Sequence, residues 1–156
     1  ARFVPADSGQ PGEIPDEEYP LTLTSGRVLY HWHTGQLTRR VEGLMSHVGE
    51  SFVEIHPHLA EQFEIDDGDY VRVESRRGEI VVKTQVTDRV DAGTLFIPMH
   101  FAVGAVNRLT QETYDPQSGI PEYKVSSVRI EPLGSKADAD ALRPPEADSD
   151  SVAIDD

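Results

Sequence analysis

Phe52-Val53-Glu54-Ile55-His56-Pro57-His58-Leu59-Ala60-Glu61-Gln62-Phe63-Glu64-Ile65-Asp66-Asp67-Gly68-Asp69-Tyr70-Val71-Arg72-Val73-Glu74-Ser75-Arg76-Arg77-Gly78-Glu79 is the stretch from which the fold is read. Phe52 to Ile55 is a short β-branched and aromatic run, hence a strand. Pro57 suits the first turn of a helix that continues through Leu59, Ala60 and Phe63. Asp66-Asp67-Gly68-Asp69 closes that helix with a turn. A calcium loop is the other reading of these acids, but the EF-hand spacing is missing. Tyr70 to Ser75 alternates as a strand, and Arg76-Arg77-Gly78-Glu79 is a tight hairpin turn. The return strand runs from Ile80 to Thr87, with Ile80, Val82, Thr84 and Val86 on one face.

Outward from this core, Pro20 to Thr24, Thr94 to Pro98 and Val125 to Glu131 also read as strands. Ser25-Gly26 reads as a turn, Val41 to Gly49 as loop, and Val106 to Thr110 as a short helix. Residues 1–18 carry three Pro and two Gly among acids and read as an extended, flexible acidic arm. From Gly134 to Asp156 the chain is acidic, small and without periodicity, a disordered tail. The domain between them spans 19–133. About five to seven short strands with one or two short helices give a mainly β barrel.

The second informative stretch is Thr24 to Arg40, which holds the only Trp and three Arg. Gly26 and Gly35 permit close backbone approach, and Arg27, Arg39 and Arg40 offer forks to phosphate oxygens. One reading is a cradle for a large anionic ligand; the other is a basic surface loop paired with the acidic arms. His31 and His33 would share a face on an extended segment, which is half of a metal site, but no third ligand lies at useful spacing. The alternative is Trp32 as a half-buried aromatic between two solvated imidazoles.

The net charge of −14, from 14 basic and 28 acidic residues, argues against non-specific binding to nucleic acid or to an anionic membrane. Excess carboxylate would also suit a salt-rich cytoplasm. There is no Cys, which removes disulfides, Fe–S ligation and thiol chemistry from this chain. No apolar run approaches the ~18–20 residues of a membrane span, and no signal peptide is visible, so a cytoplasmic location is expected. There is no nucleophile elbow.

Ser25-Gly26-Arg27-Val28-Leu29-Tyr30-His31-Trp32-His33-Thr34-Gly35 with Leu37-Thr38-Arg39-Arg40 resembles the start of one family's C-terminal domain: the molybdopterin-dinucleotide-binding domain of the DMSO reductase family of molybdenum and tungsten oxidoreductases. Asp66-Asp67-Gly68-Asp69, Ser75-Arg76-Arg77-Gly78, Phe96-Ile97-Pro98-Met99-His100-Phe101, Asn107-Arg108-Leu109-Thr110 and Pro121-Glu122-Tyr123-Lys124 follow in the family's order, from about Tyr19 to Pro132. The endings look most like the catalytic subunit of formate dehydrogenases, with nitrate reductases next. Ser25 stands where Thr is usual, and Gln36 where Thr or Ser is common.

The resemblance implies a double-psi β-barrel that closes over a molybdopterin guanine dinucleotide carrying Mo or W. It implies Ser25, Gly26, Arg27, Val28, His31, His33, Thr34, Gly35, Asn107, Tyr123 and Lys124 as cofactor contacts, and Met99 and His100 on the substrate side. It implies no metal ligand and no catalytic residue in this chain, since the family's metal ligand and Fe–S cysteines lie elsewhere. The expected partners are the remaining domains of a catalytic subunit with its Fe–S part, and a small substrate, formate or nitrate. The chain alone is expected to be inactive. Of another class, the same barrel occurs as a protein-interaction module in AAA ATPases, which would not need the run from Gly26 to Gly35 or Lys124.

Overall fold

Alternating apolar residues make strands here because one face of each can be buried while the other meets water or a loop. The computed structural model describes residues 2–3, 9–116, 118–136 and 139. The strands are β1 (Leu21–Gly26), β2 (Phe52–Ile55), β3 (Tyr70–Ser75), β4 (Gly78–Val86), β5 (Thr94–Pro98) and β6 (Ser126–Gly134). Among the described residues there are also two short helices, α1 (Glu42–Met45) and α2 (Pro57–Gln62), and 3-10 turns at Thr38–Arg40 and Val106–Arg108. The strands close in the order β1-β5-β2-β4-β3-β6, giving a mainly β, six-stranded double-psi barrel.

Pro57 opens α2, and the His56 ring caps it by accepting the His58 N–H. Leu21, Leu23, Val53, Ile55, Val71, Val73, Val82, Leu95, Ile97 and Val128 fill the interior, and Leu59, Ala60 and Ile65 seal one side of it. Each such buried side chain is worth ~1.5–3 kcal/mol relative to exposure.

Several expectations need correction. Ser25-Gly26 does not turn the chain: β1 runs on through both, because Ser25 pairs with Ile97 and Gly26 with Pro98. A Cβ at Gly26 would lie 2.5 Å from the Phe96 ring, so the glycine serves close packing there. The segment read as loop from Val41 to Gly49 contains α1, half-buried on one side through Leu44 and Met45. β6 extends to Gly134, beyond the expected Glu131, because β3 offers it partners as far as Tyr70. Of the expected disordered tail, 137–138 and 140–156 lie outside the described residues, and Ala139 is buried against Tyr70, Val81 and Leu133.

Residues 9–18, expected as a flexible arm, are pinned to the barrel. Both oxygens of Glu13 accept from Arg77, at 2.7 and 2.9 Å, and from Arg76 and the Ser127 N–H, each at 2.8 Å. Arg77 also donates to the Leu109 carbonyl at 2.7 Å. Burial pushes the Glu13 carboxyl up, but the hydrogen bonds from Arg77, Ser127 and Arg76 outweigh it and hold the group below its ordinary range.

The strand directions position the site. β1 and β5 are parallel, so they end together at Gly26 and Pro98. β6 is antiparallel to β1, with Leu23 opposite Ser126, so β6 begins where β1 ends. Three segments far apart in sequence therefore meet at one end of the barrel.

Candidate functional site

The segments that meet are the loop after β1, the start of the loop after β5, and the residues just before β6. Ser25 is buried, and its hydroxyl donates to the Tyr123 carbonyl at 2.7 Å. Lys124 Nζ returns a bond to the Ser25 carbonyl at 2.6 Å. That reciprocal pair holds an exposed ammonium with two further N–H donors at the barrel's end. The Met99 N–H donates to the Gly26 carbonyl at 3.0 Å, and Met99 itself packs on the core.

Arg27 is exposed, 5.5 Å over the Trp32 ring, with Nη2 at 3.5 Å from His33 Nδ1. Val28 donates its N–H to His100 Nε2 at 2.9 Å, and His100 Nδ1 donates to the His33 carbonyl. His33 takes a positive φ of 47°, and Gly35 one of 71°. A Cβ at Gly35 would stand 2.8 Å from the His100 carbonyl oxygen and 3.1 Å from Arg39 Nε. Only glycine fits there without displacing backbone. Arg39 Nε is buried without a partner among the described residues.

The positive φ at His33 also removes the face His31 and His33 were expected to share. His31 is buried, with Nε2 donating to the Val48 carbonyl at 2.7 Å and Nδ1 beside the Thr38 hydroxyl at 3.0 Å. His33 lies at the surface. Trp32 is 62% exposed rather than half-buried. His100 is only 1% exposed, with its ring turned into the loop rather than toward solvent. Burial pushes the His100 ring below its ordinary 6.5; the His33 carbonyl opposes this, and the charges of His31 and Arg27 add to it.

Most of the expected site residues come together: Ser25, Gly26, Arg27, Val28, His31, His33, Gly35, Met99, His100, Tyr123 and Lys124. Thr34 is exposed on the same loop. Asn107 stands apart, exposed on the 3-10 turn before Leu109, where its carbonyl accepts from Thr110 at 3.1 Å. Sequence reasoning passed over Thr38 and Val48, which hold His31. A lone hydroxyl and a backbone carbonyl carry no signal of their own in a sequence.

The donor set fits an anionic, hydrogen-bonding ligand. The N–H groups of Leu29, Tyr30, His33 and Thr34 have no hydrogen-bond partner among the described residues. They lie on the same loop as the Arg27 guanidinium and at the same barrel end as Lys124. Oriented amides with one or two cations are what a pyrophosphate requires, and a pterin edge uses the same donors.

Barrel and loop define a class: a double-psi β-barrel whose rim offers amides and cations to a large anion. The profile of the molydopterin dinucleotide binding domain matches residues 21–127, and the chain belongs to that family. Over 127 residues it is 45% identical to the F420-dependent formate dehydrogenase 1 subunit alpha of Methanococcus maripaludis, covering 81% of this chain and 19% of that protein. The assimilatory nitrate reductase catalytic subunit of Bacillus subtilis is 40% identical over 131 residues, covering 83% of this chain and 18% of that one. Acetylene hydratase from Pelobacter acetylenicus shares the fold, with a TM-score of 0.62 at 17% identity over 72% of this chain and 18% of that one. The chain thus spans about a fifth of the length of the formate dehydrogenase relative, 19%.

Proposed function

We propose that this chain is the cofactor-capping domain of a formate-dehydrogenase-like catalytic subunit, binding molybdopterin guanine dinucleotide against the remaining domains. The observation that carries the reading is the loop Arg27–Gly35, with N–H groups at Leu29, Tyr30, His33 and Thr34 that have no partner among the described residues, and its exposed guanidinium. When bound, the cofactor supplies two-electron exchange between its metal and a small substrate. The residues of this chain bind, orient and shield it. Arg27 and Lys124 neutralise pyrophosphate charge, and His33, Thr34 and the loop amides donate to phosphate and pterin oxygens. Ser25 locks Tyr123 and Lys124 to β1, while Gly26 and Gly35 keep the backbone close. Asn107, apart on its 3-10 turn, is a further contact only if the cofactor extends that far. Met99, packed on the core, and His100, turned into the loop, act on the substrate side only through the loop they support.

Leu29 is 90% exposed, Leu37 73% and Trp32 62%. These are apolar groups on the loop's outer surface, which the rest of the subunit would cover, excluding water. With no cysteine of its own, the chain is inactive alone and depends on an Fe–S-bearing part for electron transfer. Its place is the cytoplasm; among the described residues no helix is long and apolar enough to cross a membrane. Formate is favoured as substrate by the 45% identity to the formate dehydrogenase relative, against 40% for the nitrate reductase.

Titration of the labelled chain with guanosine diphosphate, followed by amide NMR, tests this reading. Shifts confined to Ser25–Gly35, Asn107 and Tyr123–Lys124 are expected. Shifts scattered over the barrel, or none at millimolar nucleotide, would overturn a pre-formed dinucleotide site.

A further inference from the structure

A loop that offers its amides to a ligand cannot satisfy them internally, so something else must hold its shape. From Arg27 to Gly35 the chain has few bonds of its own: His31 N–H to the Val28 carbonyl at 3.3 Å and Gly35 N–H to the Trp32 carbonyl at 2.8 Å. The remaining anchors are side chains, and His100 supplies two from one ring. A backbone N–H can only donate, so the Val28 bond makes Nε2 the acceptor. Nδ1 then carries the proton and donates to the His33 carbonyl. The ring thus spans the loop's first turn and its one strained non-glycine residue, His33. The carbonyl of His100 backs Gly35, so the same residue touches the loop near both ends. The ring is sealed by Phe101, edge-on at 6.4 Å, and by His31 at 5.6 Å.

We propose that His100 is a positioning residue: its Nδ1-protonated ring fixes the Val28 amide and the His33 carbonyl together, and so sets the loop shape that receives the cofactor. This rests on assigning the loop to the cofactor, but the loop's shape can be tested without ligand. The contacts require one tautomer. A second proton, on Nε2, would face the Val28 N–H and break that bond. The charged or titratable groups near the ring are Arg27 just after β1 and His31 and His33 in the loop, while Arg39 from the following 3-10 turn lies by Gly35, next to the His100 backbone. The cations among them oppose that second proton, as does burial.

The test uses the uniformly nitrogen-15-labelled chain, without ligand. At pH 7.5 a through-hydrogen-bond coupling between Val28 N and His100 Nε2 is expected, with ring shifts of the Nδ1-protonated form. On acidification the coupling should vanish as the His100 ring titrates. The amides of Val28, His33 and Thr34 should shift with the same midpoint, while Val71 to Val73 in the barrel stay still. In His100→Phe, which keeps an aromatic in the site, the part of the loop amides' pH response that shares the His100 midpoint should be lost. The Nε2-protonated form, no coupling at pH 7.5, or loop amides that ignore the His100 titration would overturn the proposal. Because nucleotide is absent, a failure here is distinct from a failure of the chain to bind guanosine diphosphate.

Discussion

Lys124 Nζ donates to the Ser25 carbonyl, 99 residues away, at 2.6 Å, and the Ser25 hydroxyl donates to the carbonyl of the neighbouring Tyr123 at 2.7 Å. Lys124 and Arg27 carry the positive charge at the barrel's end, and neither lies in the core. Arg27→Ala and Lys124→Ala should each loosen cofactor retention in the assembled enzyme by roughly ten- to hundredfold, the equivalent of a charge-assisted contact of ~1.5–3 kcal/mol. Cofactor content after gel filtration, with circular dichroism as the folding control, reads this directly. Unchanged content in the double variant would remove both residues from the site. His100 gives a pH effect of its own. Its folded pKa lies below the ordinary 6.5, so the unfolded chain takes up the proton first as pH falls. Its contribution is complete above ~6.5, declines below that by at most ~1.4 kcal/mol per pH unit, and levels off beneath the folded value. Urea unfolding between pH 5 and 8 should show that decline in the wild type and lose it in His100→Phe.

At the scale of elements, the arm before β1 behaves as a strap. Glu13 bridges the Arg76–Arg77 hairpin turn and the β6 backbone, and Arg77 carries the tie on to Leu109. Asp16 adds a contact to Arg76 at 2.5 Å, and the Gly12 N–H donates to Glu122 at 2.8 Å, next to Tyr123. The strap thus braces both ends of the chain between Leu109 and Ser127. Glu13→Gln keeps the shape and leaves the Arg77 fork half-answered, so a loss of ~1.5–3 kcal/mol is expected in urea unfolding. The Glu13 carboxyl is held below its ordinary 4.5. Its stabilisation is present above ~4.5 and is lost as pH falls through the folded value, well below the His100 window. The variant should flatten the acid limb of the stability curve; an unchanged limb would mean the arm contributes nothing. The arm's acids were plain in the sequence. That Glu13 would turn inward was not, since its partners stand 63 and 64 residues away at Arg76 and Arg77.

Across the whole molecule, 28 acidic residues against 14 basic ones leave −14. Surface ion pairs such as Arg129 with Glu74 at 2.8 Å and Arg72 with Glu131 at 2.5 Å are weakened by salt. Repulsion among the unpaired carboxylates is weakened too. With twice as many acids as bases, repulsion outweighs attraction, and exposed pairs are worth only ~0–1 kcal/mol each. Molar KCl, where the screening length is ~3 Å, should therefore raise the melting temperature, by ~2–4 °C per kcal/mol gained. A melting temperature that falls on going from dilute buffer to molar KCl would show that the ion pairs dominate instead.

By itself the sequence determined β2, α2, β3 and β5, and the start of the hairpin between β3 and β4, because local periodicity, Pro57 and Gly78 act over a few residues. It also marked the glycines, the cations and the order of motifs around Arg27, His33 and Lys124. Tertiary structure alone decided how far β1 and β6 run, since a strand ends where its partner stops pairing. It decided that His31 is buried while His33 and Trp32 face out, because a positive φ at His33 breaks the alternation an extended chain would keep. It decided that Ser25, His100 and Lys124 share one end of the barrel. That convergence follows from parallel pairing of β1 with β5 and antiparallel pairing of β6 with β1. Such non-local hydrogen bonding leaves no periodic mark in the segments it joins.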